Sequence, residues 1–134
     1  TGKPNVKYTG GGQFHDLTYH LWSFGFNVDT TKGPDKGHFN AKDHDKDKDK
    51  DHINGPVSDV ACVSDICVTD GIAFTVTDKK TQCQYRVEVE DGGKHNDKIQ
   101  IYWTPSLACP SPDPDVADTG CQSTDRGEIV NHQK

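Results

Sequence analysis

The stretch T-Q-C-Q-Y-R-V-E-V-E-D-G-G-K-H-N-D-K-I-Q-I-Y-W, residues 81–103, decides the fold class. Cys83, Tyr85, Val87 and Val89 alternate with Gln82, Gln84, Arg86, Glu88 and Glu90, giving the segment one apolar and one polar face. A period of two is the pattern of a half-buried β-strand, whose successive side chains point to opposite faces. Asp91-Gly92-Gly93 supplies a turn, after which Ile99, Ile101 and Trp103 alternate with Lys98, Gln100 and Tyr102.

The same period recurs upstream. Trp22, Phe24, Phe26 and Val28 occupy even positions, with Leu17, Tyr19 and Leu21 on the odd ones near the start of that run. Ile72, Phe74 and Val76 alternate with Ala73, Thr75 and Thr77. Val6 and Tyr8 begin a short strand that runs into Gly10-Gly11-Gly12, where the absence of a Cβ permits a bulge or close backbone approach. Eleven Val stand against three Leu and no Met, a bias towards side chains that suit a pleated surface. Thirteen Gly and seven Pro interrupt the chain too often for long helices. The expected fold is all-β: an antiparallel β-sandwich, Ig-like or a partly open barrel, of about seven to eight strands.

Residues 1–104 carry this alternation and residues 105–134 do not. The segment around T-P-S-L-A-C-P-S-P-D-P-D (104–115) contains four of the seven prolines, so an extended C-terminal tail is expected to dock on the β domain or on a neighbouring subunit. On this reading, removal of residues 105–134 leaves the β domain folded.

A net charge of −6 and a pI near 5.5 argue against nucleic acid as a partner. No run approaches the roughly 18 apolar residues of a membrane-spanning helix, so membrane insertion is not expected. The chain begins at Thr1 without an initiator Met, as expected of a processed mature protein or an excised domain.

Between Lys42 and His52 aspartates alternate with Lys and His. A hairpin turning at Asp47-Lys48 would oppose Lys46 to Asp49, Asp45 to Lys50, His44 to Asp51 and Asp43 to His52, each an attractive pair. The competing reading is Ca²⁺ bound by Asp47, Asp49 and Asp51, whose spacing opens an EF-hand loop. His52 stands where that loop requires Gly, and Ser58 where it requires Glu. The interleaved lysines neutralise the carboxylates, which favours the solvated hairpin. Asp91, Asn96 and Asp97 bracket a second candidate Ca²⁺ loop, although Asp and Asn also favour turns through local hydrogen bonds. His44 and His52, or His15 and His20, are candidate transition-metal pairs without zinc-type spacing. No catalytic motif is present, and the expectation is a chain that is not an enzyme.

Five cysteines in a β-rich chain point to an oxidising, extracellular compartment. A turn at Ser64-Asp65 would oppose Cys62 to Cys67, and Cys109 and Cys121 would close a loop in the tail, leaving Cys83 as a buried thiol. The rival pairing joins Cys62 to Cys83.

T-G-G-G-Q-F (9–14), F-G-F-N-V (24–28), K-G-H-F-N-A-K-D-H (36–44), I-N-G-P-V (53–57) and V-E-V-E-D-G-G followed by D-K-I-Q-I (87–101) occur in an order that resembles a bacterial extracellular module. That module is the small β domain found beside choice-of-anchor domains in secreted and surface proteins. The resemblance implies a β-sandwich-like, cell-exterior module without an assigned enzymatic activity. Together with the lack of a distinct site and a tail that needs a docking surface, it leads to the expectation of a structural role in a surface layer, an adhesin or a self-assembling fibre. Its expected partners are further copies of itself or other cell-surface proteins. The alternative is a Ca²⁺- or carbohydrate-binding accessory domain using the acidic hairpin at 43–52, the loop at 91–97, or Trp22 and Trp103. Both tryptophans lie on apolar faces, where core packing is the expected role.

Overall fold

A computed structural model describes residues 5–17, 19–32, 35–44, 52–93, 97–110 and 118–132. The strands are β1 (Lys7–His15), β2 (Leu21–Asp29), β3 (Lys36–Asp43), β4 (His52–Val63), β5 (Gly71–Thr77), β6 (Gln84–Glu90), β7 (Lys98–Tyr102), β8 (Gln122–Ser123) and β9 (Arg126–Asn131). Among the described residues there is no helix. The nine strands form one antiparallel sheet, ordered β8-β7-β6-β5-β4-β3-β2-β1-β9 and curled into a half-barrel. Among the described residues the expected seven or eight strands become nine, because the segment beyond residue 104 contributes β8 and β9.

Strands β1 to β7 form a meander, and β4 is its corner. The first part of β4 pairs with β3 through His52–Pro56, and the remainder pairs with β5 from Val57 to Val63. The β4–β5 register shifts between Ser58 and Ala61, and Asp59 there has φ 50°. An extra residue of this kind bends a strand and increases its twist, which lets the sheet fold over its own core. Phe74 of β5 consequently meets Phe26 of β2 and Phe39 of β3, each at 5.8 Å between ring centroids. Phe14, Trp22 and Phe24 extend this aromatic cluster, and Trp22, Phe14, Phe39 and Phe74 are fully buried. Pairs in these tilted and offset geometries contribute roughly 0.5–1.5 kcal/mol each beyond the area they bury.

The inward faces follow the alternation. Trp22, Phe24, Phe26 and Val28 are buried in β2, Tyr85, Val87 and Val89 in β6, and Ile99 and Ile101 in β7.

After β7 the chain places β8 beside β7 and β9 beside β1, with only Thr124 and Asp125 between the two. One short segment therefore spans both ends of the meander. Gly12 lies directly opposite Gly127 in the β1–β9 ladder. A Cβ on Gly12 would fall 1.9 Å from the Arg126 carbonyl oxygen, and one on Gly127 (φ 90°) would fall 1.9 Å from that of Gly11. The glycines permit close approach, and the β1–β2 ladder runs through them without a break.

The β3–β4 register corrects the expected hairpin. Lys42, not Asp43, faces His52; Ala41 faces Ile53 and Phe39 faces Gly55. Directly opposed residues share a face, and the core-facing positions of both strands are odd-numbered, so opposed numbers sum to an even value. A two-residue turn at Asp47-Lys48 requires an odd sum, and burial of Phe39, Ala41 and Ile53 outweighs exposed charge pairs worth a few tenths of a kcal/mol each. Asp47, Asp49 and Asp51, and the pairs expected of residues 45–51, lie outside the described residues.

Both expected disulfides are also replaced. The bridges are Cys67–Cys121 and Cys83–Cys109, and Cys62 is free and exposed. Ser64-Asp65 does not form the two-residue turn needed to oppose Cys62 to Cys67: Cys62 faces Ile72 and Val63 faces Gly71, with residues 64–70 as the loop. In that loop the Asp65 carboxylate accepts the Cys67 and Val68 backbone N–H groups at 2.9 and 2.8 Å. The tail reaches Cys67 because Thr119 is clasped to Ile101, its N–H donating to the Ile101 carbonyl at 2.9 Å and its Oγ1 accepting the Ile101 N–H at 3.0 Å. It reaches Cys83 because Gln84 N–H donates to the Ala108 carbonyl at 2.7 Å. The two disulfides are those of a chain that folds in an oxidising, extracellular-type environment. Among the described residues no helix is long and apolar enough to cross a membrane.

Candidate functional site

Asp91 and Asp97 flank the β6–β7 connection, and both carboxylates engage backbone amides. Asp97 is 3% exposed; its Oδ1 accepts the Gly92 N–H at 3.0 Å and its Oδ2 the Ile129 N–H at 2.7 Å. Asp91 Oδ1 accepts the Gly93 N–H at 3.2 Å and Oδ2 the Asn131 N–H at 2.9 Å. Ile129 and Asn131 belong to β9, so these acids satisfy strand N–H groups at the closure of the sheet. Buried backbone donors need such partners, and a charged acceptor strengthens the bond. Asn96, the third member of the expected Ca²⁺ loop, lies outside the described residues.

A second cluster forms at the β1–β2 turn. Tyr19 N–H donates to the Asp16 carbonyl and Asp16 N–H to the His20 carbonyl, both at 3.0 Å, while Tyr19 takes φ 63°. The Asp16 side chain folds back across the turn. Its Oδ1 accepts the His20 N–H at 3.0 Å and its Oδ2 the Trp22 indole N–H at 2.8 Å. Asp43 ends β3 directly opposite Trp22 and is only 1% exposed. Its Oδ2 stands 3.1 Å from His20 Nδ1. One ligand atom from each of Asp16, His20 and Asp43 lies within 4.8 Å of the others. The pairing of His15 with His20 considered from sequence does not form: His15 stacks on Tyr19 at 4.2 Å and bonds Asp125. A signal for Asp43 was present, since it follows Phe39 and Ala41 on the core-facing parity of β3.

His44 and His52 likewise take separate partners, Ser23 Oγ at 2.7 Å and Asn40 Oδ1 at 2.8 Å. His52 and Asn40 line a shallow groove with Ser23, Gly25 and Lys42 on the outer surface of β2, β3 and β4. Trp22 is 1% exposed and Trp103 packs against the edge of the core, so neither indole forms an open platform.

A third cluster joins the 64–70 loop to the outer face of β6 and β7. Glu88 is 6% exposed, and Tyr102 Oη donates to its Oε2 at 2.9 Å. Burial, reinforced by the adjoining Asp65 carboxyl, pushes the Glu88 pKa up, whereas the hydrogen bond from Glu88 holds Asp65 low. With both acids ionised, Glu88 Oε1 is a buried acceptor without a donor. A proton on Glu88 supplies the donor for the hydrogen bond between the two acids. Burial and the bond to Glu88 push the Tyr102 hydroxyl up to about 12, so it stays a donor at neutral pH.

No family model, curated protein or solved structure matches this chain.

Proposed function

We propose that this chain is a non-catalytic structural module of an extracellular surface layer, adhesin or fibre, a reading in keeping with its resemblance to the small cell-exterior β domain beside choice-of-anchor domains. The observation that carries the reading is the way its C-terminal segment is built into the fold. β9 completes the sheet beside β1, Asp91 and Asp97 hold its outer N–H groups, and two disulfides tie the approaching tail to the 64–70 loop and to the start of β6. The bridges span 54 and 26 residues. Loops of that length remove roughly 3–4 kcal/mol each of unfolded-chain entropy. A thin-cored domain fastened in this way resists unfolding outside the cell, where load and proteases act.

The structure also alters how assembly would occur. The tail strands pair within their own chain, so contact between copies falls to surface groups such as Leu17, Tyr19 and Ile66, which are 70%, 76% and 102% exposed. The Ca²⁺ reading of the 91–97 loop has less support, because Asp91 and Asp97 already serve backbone donors.

Light scattering across a concentration series, with electron microscopy of the same oxidised protein, tests the proposal. Ordered, concentration-dependent polymers or layers support it. A chain that stays monomeric throughout and does not coat cell-envelope preparations overturns it.

A further inference from the structure

We propose that Asp16, His20 and Asp43 form a binding site for one divalent first-row transition-metal ion, with Zn²⁺ as the reference ligand. This assignment does not depend on the structural role proposed above.

Two carboxylates and one imidazole converge from the β1–β2 turn and the end of β3, with one ligand atom from each within 4.8 Å of the others. Ligands held about 2.1 Å from a tetrahedral ion stand roughly 3.4 Å apart. His20 Nδ1 and Asp43 Oδ2 are already 3.1 Å apart, so closure requires only a small movement of the Asp16 carboxylate. One imidazole nitrogen with two carboxylate oxygens is a donor set suited to Zn²⁺ and its neighbours; an all-oxygen site would favour Ca²⁺ or Mg²⁺.

Neighbouring groups hold these side chains in place from behind. The Trp22 indole and the His20 amide orient the Asp16 carboxylate, each bonding one of its oxygens. His44 N–H donates to the Leu21 carbonyl at 2.8 Å and fastens the end of β3, which carries Asp43, against β2. Such partners hold ligands near a productive geometry before the ion arrives. The His20 side chain is 38% exposed and offers a route from solvent, whereas Asp43 forms the floor at 1%.

A purely structural network explains part of this arrangement. Asp16 organises the turn and satisfies Trp22. Asp43, an inward position that continues Phe39 and Ala41 and faces Trp22, bonds His20 within the same network. With neutral His20 the three side chains carry a formal charge of −2, which one divalent ion balances.

The test uses the intact oxidised chain, stripped with a chelator. Calorimetric titration with Zn²⁺ should give one ion per chain, and Tm should rise on the order of 10 °C at a hundredfold excess over Kd. His20→Ala should weaken binding at least tenfold while retaining the β-sheet circular dichroism spectrum. Asp43→Asn should do the same, and Asp16→Asn serves as the third variant if Asp43→Asn fails to fold. Co²⁺ should bind in place of Zn²⁺, quench tryptophan emission and broaden the Leu21 and His44 amide resonances. A chain with Asp45, Asp47, Asp49 and Asp51 all replaced by Asn should bind Zn²⁺ as tightly as the parent. No binding at millimolar Zn²⁺, affinity unchanged by His20→Ala, affinity lost with the four-Asn chain, or preference for Ca²⁺ over Zn²⁺ would each overturn the assignment.

Discussion

The Asp97 carboxylate accepts the backbone N–H of Ile129 at 2.7 Å, joining the start of β7 to the middle of β9. Ile129 is fully buried and pairs with Gly10 on its other side, so this bond lies where the curled sheet closes. Replacing Asp97 by Ala leaves the Ile129 and Gly92 donors without their charged acceptor. A loss of about 3 kcal/mol is expected, since hydrogen bonds to charged groups contribute about 1.5–3 kcal/mol and orphaned buried donors add to the cost. Urea unfolding measures it, and a midpoint equal to the parent's would mean that the closure is held elsewhere.

Removing residues 105–134 is expected to abolish cooperative folding. The composition of this segment suggests a dispensable appendage, but the fold uses it for Ile129, for β8 and β9, and for one partner of each disulfide. Thermal melting followed by circular dichroism decides the matter. A sharp transition in the truncated chain would restore the view of an independent β domain.

Glu88 makes stability depend on pH in a definite direction. Its folded pKa is raised above the ordinary carboxylate value, so the folded state holds the proton more tightly than the unfolded state. Stability from this group therefore increases as pH falls from neutral through the raised pKa, and levels off below the ordinary value. Asp65 acts oppositely: its lowered pKa gives stability above the ordinary value that is lost as pH falls further. Glu88→Gln, which mimics the protonated form, should stabilise the protein at pH 7 and flatten the rise between pH 7 and pH 5. Chemical denaturation at the two pH values gives the comparison, and a variant less stable than the parent at pH 7 would contradict the shared-proton arrangement.

Peptide mapping without reductant should recover Cys67 linked to Cys121 and Cys83 linked to Cys109. Iodoacetamide on the native protein should label one thiol, at Cys62. Cys121→Ser should lower stability by about 2–4 kcal/mol, the usual range for a bridge closing a loop of this length. Recovery of a Cys62–Cys67 peptide would reverse the assignment.

Strand identity and strand faces were legible in the sequence because alternation is a local property. Whether Val87 points inward depends on its neighbours at positions 85 and 89, and the same holds for Trp22, Phe24 and Phe26. Even the β3–β4 register was available, since Phe39, Ala41, Ile53 and Val57 share one parity. The regular Asp-Lys alternation suggested another register, but exposed charge pairs are too weak to override burial of that apolar face. Asp43 on the same parity was likewise a readable sign of a buried acid.

What the tertiary structure alone decided are the contacts between distant segments. Five chemically equivalent thiols carry no label for their partners. Cys67 finds Cys121 only because Thr119 is clasped to Ile101, and Cys83 finds Cys109 because Gln84 meets Ala108. The roles of Asp91 and Asp97 depend on where β9 arrives, and the convergence of Asp16, His20 and Asp43 depends on pairing Trp22 with Asp43 across β2 and β3. Local patterning sets which way each side chain faces; twist, the bend in β4 and closure of the sheet set what it meets.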